Sequence, residues 1–250
     1  MAQQIALLVH QQSREHDDRI DSSLFLCHHT SHLLIHEQDS YSKLLHMTAT
    51  IIKNSRDITE RIQYPMSYHD VYTKLFYDSS TYDGGNESHQ LPSTVILECP
   101  HREIGGKNTT YEDLQLLSKL CRDSNIAFHM DGARIWEAAV YYNYNNNGRS
   151  DNDYSAVRGD SDNAILPNET MQETLHRVAG LFDSLYVSTY KGLGAMTGSL
   201  LIGSKGFIQE ARLWLRRFGG TVIVIVIMMN EALGVMHSNM SLYNIMYAMI

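Results

Sequence analysis

The sequence predicts an α/β protein built on a mostly parallel sheet. Short apolar, β-branched-rich runs alternate with amphipathic segments at helical spacing between residues 93 and 218. Alternation of this kind closes into helices layered on a parallel sheet, because each crossover helix carries the chain back to the end where the last strand began. The 250-residue length allows one substantial core, or one large and one small domain.

The elements follow in order. Residues 3–12 read as the body of a helix, and Leu24 to Cys27 and Met47 to Ile52 as short strands. A helix is expected over His69–Tyr77 and a turn at Gly84-Gly85-Asn86. Ser93–Glu98 is a strand, and Tyr111–Ser124 a helix with Leu114, Leu117, Leu120 and Cys121 on one stripe. Ile126–Met130 is a strand and Ala133–Tyr141 a helix. Residues 144–163, rich in Asn, Asp, Ser and Gly, bury too little apolar surface to offset the entropy of ordering and read as a mobile insertion. Thr170–Gly180 is then a helix, Ser184–Ser188 and Ser199–Ile202 are strands, and Lys205–Phe218 is a helix.

Composition narrows the function class. With 43% hydrophobic and 19% charged residues the chain has the balance of a globular protein. A net charge of −8 without any Lys/Arg run argues against nucleic acid as a partner. The apolar run Thr221–Met229 is far short of the roughly 20 residues a spanning helix needs, so no membrane partner is expected. Cys27, Cys99 and Cys121 have no metal-type spacing and read as reduced, partly buried thiols of a cytoplasmic protein; no metal site is expected. No basic segment precedes Met1–Val9, so no signal peptide is expected.

Chemistry concentrates at two strand ends. Lys191 follows the strand Ser184–Ser188 and is flanked by Gly192 and Gly194, a setting that suits a lysine forming a Schiff base. Sixty residues earlier, Asp131-Gly-Ala-Arg134 closes the apolar run Ile126–Met130. A carboxylate beside the pyridine nitrogen of pyridoxal phosphate (PLP) keeps that nitrogen protonated and makes the ring an electron sink. Each residue alone has a plainer reading. Asp131 serves equally as a helix N-cap, Arg134 as a surface salt bridge rather than a carboxylate clamp, and Lys191 as a solvated amine beside a glycine turn. Their order along the chain suggests a PLP enzyme.

Longer stretches carry a resemblance. Glu98-Cys-Pro-His-Arg-Glu-Ile-Gly-Gly106, Phe128-His-Met-Asp-Gly-Ala-Arg-Ile-Trp-Glu-Ala-Ala-Val140, Tyr186-Val-Ser-Thr-Tyr-Lys-Gly-Leu-Gly194 and Phe218-Gly-Gly-Thr221 resemble, in order and approximate spacing, the threonine aldolase and aromatic amino acid β-eliminating lyase family. A weaker similarity reaches back through His29-Thr-Ser-His32, with Glu37 five residues on. The resemblance implies a three-layer, aspartate aminotransferase-like large domain of fold type I over residues 1–221, with 222–250 a remnant of the linker and C-terminal region. It implies PLP held through Lys191, Asp131 paired with the pyridine nitrogen, Arg134 near the ring and the substrate carboxylate, and His32 stacked on the ring. His101 falls where some members have a second active-site histidine; among 13 histidines, only the resemblance singles out His32 and His101.

The reaction implied is cleavage of L-threonine or L-allo-threonine to glycine and acetaldehyde, with His32 or His101 aiding removal of the β-hydroxyl proton. β-Elimination on aromatic amino acids is the runner-up, and a non-catalytic truncated relative the third reading. The family's habit of building each site across a subunit interface implies a homodimer or homotetramer. Three departures stand out. The family's Ser-Gly-Thr phosphate turn, expected before the first helix, is not in the chain. Gln38-Asp39-Ser40 replace glycines after Glu37, and Val222–Ile227 replaces a polar continuation after Thr221. These suggest a chain truncated at both ends.

Overall fold

The computed structural model describes residues 1–53, 64–77, 90–146, 169–195 and 197–220, together with the backbone of 244–248. Its strands are β1 (Ile20–His28), β2 (Thr48–Ile52), β3 (Leu91–Glu98), β4 (Ala127–Asp131), β5 (Ser184–Ser188), β6 (Ser199–Gly203) and β7 (Asn244–Ala248). They form one sheet in the order β2-β1-β3-β4-β5-β6-β7. The first five strands in that order run parallel. β6 is antiparallel to β5, and β7 to β6.

The helices are α1 (Ala2–Gln12), α2 (His32–Ile35), α3 (Ser40–Lys43), α4 (Tyr68–Phe76), α5 (Tyr111–Asp123), α6 (Ile135–Asn146), α7 (Met171–Ala179) and α8 (Lys205–Arg217). The two-residue period of the strands sorts their side chains between two helical layers. Leu26, Val95, Leu97, Phe128 and Met130 point into one core with residues of α4, α5, α6 and α7. Phe25, Cys27 and Ile96 point the other way, onto Leu7 and Leu8 of α1, while Leu201 meets α1 and α8. β3 is buried along all 8 of its residues, as a central strand covered on both faces must be. The result is an α/β three-layer arrangement.

Helix starts are chemically marked. Ser67 with Asp70 and Thr170 with Glu173 form capping boxes at α4 and α7, and Thr110 and Ser204 cap α5 and α8. Two boundaries differ from the sequence reading by more than two residues. β1 begins at Ile20, earlier than the apolar run, because its ladder with β3 continues through Ile20↔Leu91 and Asp21↔Pro92. α6 continues past Tyr141 to Asn146. Buried Tyr142 donates its hydroxyl to the Thr109 carbonyl at 2.7 Å, and Asn143 Nδ2 donates to the Glu169 carbonyl at 2.6 Å. Residues 144–146 of the expected insertion are therefore helical. Its remainder, the turn expected at 84–86, and the apolar run at 221–229 lie outside the described residues.

The three cysteines are buried and form no disulfide. No helix among the described residues is long and apolar enough to cross a membrane.

Phe128 is 1% exposed and stacks on Phe182 with centroids 4.2 Å apart. Phe128→Ala is expected to lower unfolding free energy by about 3–5 kcal/mol. Leu116→Ala, on the exposed face of α5, should change it by less than about 0.5 kcal/mol. Urea denaturation of both variants checks this, and equal effects would contradict the layering.

Candidate active site

Every residue marked by the sequence lies at or just beyond the carboxyl end of a parallel strand, where ligands of such sheets collect. His32 opens α2 after β1, His101 follows β3, Asp131 ends β4, Arg134 precedes α6, and Lys191 follows β5. The sheet register sets the centre of the group. β3 and β4 pair so that Glu98 stands opposite Asp131, placing two carboxylates side by side at buried strand ends.

The two acids have different surroundings. Glu98 accepts backbone N–H bonds from His32 at 3.2 Å and Arg102 at 3.0 Å, and His101 Nε2 lies 3.8 Å from its Oε2. Asp131 accepts one backbone bond, from Ala133 N at 3.2 Å. Burial, reinforced by the charge of Glu98, pushes the Asp131 carboxyl up to about 7, against the pull of His32, the Ala133 bond and Lys191. Asp131, with fewer hydrogen-bond donors than its neighbour, is thus held toward the protonated form. The Tyr186 hydroxyl is also pushed up, first by desolvation and then by the neighbouring Asp131.

The histidines are driven apart. His32 Nδ1 lies 3.3 Å from Glu37 Oε1, and that contact, with the charges of Asp131, Glu37 and Glu98, raises its pKa. His101 is 2% exposed, and desolvation lowers its pKa against the opposing effect of Glu98. One imidazole therefore favours the cation and the other the neutral base, a separation that assigns acid and base roles within a site.

Lys191 sits on a loop closed by its own backbone. Thr189 N donates to the Gly198 carbonyl at 3.1 Å, and Ala195 N to the Thr189 carbonyl at 3.0 Å. Its Nζ lies 5.6 Å from the Tyr190 ring centroid. Gly192 packs on Trp136 of α6 so closely that an added Cβ would fall 2.2 Å from the indole. A cavity of about 260 Å³ opens beside this loop, lined in part by Ala2, Gln3, Glu37, Tyr186, Tyr190 and Ser199. It reaches the amino end of α1, whose leading N–H groups have no partner within the helix. The buried Ser199 hydroxyl has no partner among the described residues. Arg134 is placed differently: it is half exposed, with Nη1 3.6 Å from Glu137 Oε1.

A sequence profile of the beta-eliminating lyase family matches residues 1–246. The chain belongs to that family. This beta-eliminating lyase family member is 26% identical over 217 residues to the low-specificity L-threonine aldolase of Candida albicans, covering 86% of this chain and 46% of that protein. Among solved structures it is similar to a protein of Listeria monocytogenes proposed to be an L-allo-threonine aldolase, with TM-score 0.61 and 30% identity over 90% of this chain and 47% of the other. A protein of Exiguobacterium proposed to be an aromatic amino acid beta-eliminating lyase/threonine aldolase gives TM-score 0.59 and 29% identity, over 88% of this chain and 46% of the other. The fold is the α/β large-domain fold of fold type I. The chain spans about half the length of the relatives it matches.

The donor set suits PLP. Among the described residues, a raised, buried carboxyl with a single hydrogen-bond donor complements a protonated ring nitrogen, and a buried hydroxyl without a partner beside a helix amino end complements a phosphate. Glu98 and Tyr186 were not singled out as site residues from sequence. Glu98 had a readable signal, an acid ending the otherwise apolar run Val95-Ile-Leu97.

The Asp131 shift has a consequence in solution. Its folded pKa lies above its unfolded value, so its stabilising contribution is fully present below about pH 4 and is lost as pH rises through about 7. Cofactor-free wild type is expected to lose urea resistance relative to Asp131→Asn across that window. A pH-independent difference between the two proteins would contradict the raised carboxyl.

Proposed function

We propose that this chain carries the cofactor-binding large domain of a PLP-dependent lyase that cleaves β-hydroxy amino acids. L-Threonine and L-allo-threonine are the substrates proposed, with glycine and acetaldehyde as products. The observation that carries this reading is the pair of histidines with opposed proton preferences around Glu98 and Asp131. The names of the similar threonine aldolases support the choice of substrate class.

Lys191 would hold the cofactor covalently through Nζ, Asp131 would face the ring nitrogen, and His32 would pack on the ring. When bound, PLP supplies an electron sink for the pair released as the Cα–Cβ bond breaks. The residues supply the rest. Asp131, given a cationic partner, would take the carboxylate form and keep that partner protonated. His101, neutral and buried, accepts the β-hydroxyl proton, the event that lets the carbon–carbon bond open. His32, held toward the cation by Glu37, would contribute positive charge beside the reacting group.

Arg134 would bind the substrate carboxylate by leaving Glu137. An exposed pair of this kind is worth at most about 1 kcal/mol, so the exchange costs little. The packing of Gly192 on Trp136 sets the path of the loop that carries Lys191.

The purified chain mixed with PLP is expected to show a visible-edge absorbance band that Lys191→Ala abolishes, and to release glycine from threonine. A folded protein with no Lys191-dependent band would end the PLP reading. A band accompanied by turnover of aromatic amino acids, and none of threonine, would replace cleavage by β-elimination.

A further inference from the structure

His101 and two residues behind it share one chain of hydrogen bonds. Thr30 Oγ1 lies 2.8 Å from His28 Nδ1 and 3.0 Å from His101 Nε2. The rings of His28 and His101 meet edge-on with centroids 4.7 Å apart. His28 and Thr30 end and follow β1, on the strand adjacent to β3.

The direction of this chain is set by backbone groups whose roles are unambiguous. The Thr30 backbone N–H, which can only donate, lies 3.2 Å from His28 Nδ1. That nitrogen is therefore an acceptor without a proton. The Thr30 hydroxyl, facing the same nitrogen, must give its own proton to it. It then offers only lone pairs toward His101, so His101 Nε2 is the donor. Two further groups at Nε2 agree. The Thr30 carbonyl at 3.4 Å and the Glu98 carboxylate at 3.8 Å can only accept. His28 Nε2 is buried without a partner among the described residues whichever tautomer holds, so the Nδ1 contacts decide.

We propose that Thr30 and His28 are positioning residues that hold His101 as its Nε2–H tautomer, leaving Nδ1 as the one atom of that ring able to take a substrate proton. The inference rests on the lyase reading above and deepens it. The surroundings support a neutral relay. Burial, then the neighbouring rings of His101 and His29, push His28 down to about 3, so it keeps its acceptor at working pH. The ionisable groups that act on His101 are Glu98, His29 and Glu103, and Glu103 is itself bonded to His36 at 2.8 Å. A hydroxyl that could rotate freely would accept from or donate to Nε2 in turn. The double clamp on His28 Nδ1 removes that freedom, and proton transfer at His101 then needs no tautomer exchange.

Nitrogen-15 NMR of histidine-labelled cofactor-free protein tests the tautomer directly, and Thr30→Val with Thr30→Ser tests its use. The His101 Nδ1 signal is expected in the unprotonated, pyridine-like range. Thr30→Val should mix the tautomers and lower kcat about tenfold with little change in KM, a part of the 10²–10⁴ a positioned base contributes. Thr30→Ser, which keeps the hydroxyl, should restore both the signal and the rate. A protonated Nδ1 in wild type, or equal losses in the Val and Ser variants, would overturn the relay. Should wild type release no glycine while Nδ1 is unprotonated, the lyase reading fails and the hydrogen-bond chain stands. Full activity in His101→Gln would remove His101 from the reaction and overturn the use proposed for the relay.

Discussion

The site depends on one constraint, the parallel register that sets Glu98 of β3 against Asp131 of β4. Two carboxylates at adjacent buried strand ends cannot both be ionised without compensation, since each raises the cost of charging the other. The fold resolves the conflict asymmetrically. Loop backbone after β1 and β3 gives Glu98 the N–H groups of His32 and Arg102, while the turn after β4 gives Asp131 Ala133 N. One acid is satisfied by the protein, and the other is left suited to a cation. In the proposed reading a protonated ring nitrogen would answer that need.

The same electrostatic centre sorts the histidines. His32 lies between Glu37 and the acid pair and is held toward the cation. His101, deeper and in ring contact with His28, is held neutral despite Glu98 nearby. Neither outcome follows from the residue type. It follows from which loop each histidine occupies: α2 after β1, half exposed, or the segment after β3, buried. The helical layers contribute by fixing those loops. Gln4 of α1 donates to Glu37 and to Ser40 Oγ, tying the amino-terminal helix to the carboxylate that charges His32.

Much of the fold was legible because hydrophobic period reports burial directly. The run Ser93–Glu98 and the stripe Leu114, Leu117, Cys121 declare a two-sided strand and a one-sided helix, and both form. The polar start of β1 was not legible, since Asp21 and Ser22 enter the strand through pairing with β3 rather than through their own preference. The end of α6 was hidden for a similar reason. Its Tyr and Asn residues read as loop in isolation, yet Tyr142 and Asn143 have acceptors on distant segments. Within the site, resemblance supplied the residue identities, and the three-dimensional pairing supplied their electrostatics. Thr30 was invisible from sequence, since its meaning lies in the order of donors and acceptors around it.

That order has a wider implication for how the site works with few charged groups. A base that must act repeatedly needs a defined lone pair, and an isolated imidazole offers two nitrogens between which the proton exchanges. Here the backbone N–H of Thr30 and the backbone carbonyl of the same residue fix opposite ends of one relay, at His28 Nδ1 and His101 Nε2. Backbone groups cannot retautomerise, so the polarity they impose persists whichever way the side chains would otherwise settle. The strand that carries them, β1, pairs with β3, which carries Glu98 and leads into His101. The sheet therefore sets both the charge of the acid pair and the direction of the proton path, and its carboxyl edge is where the two meet.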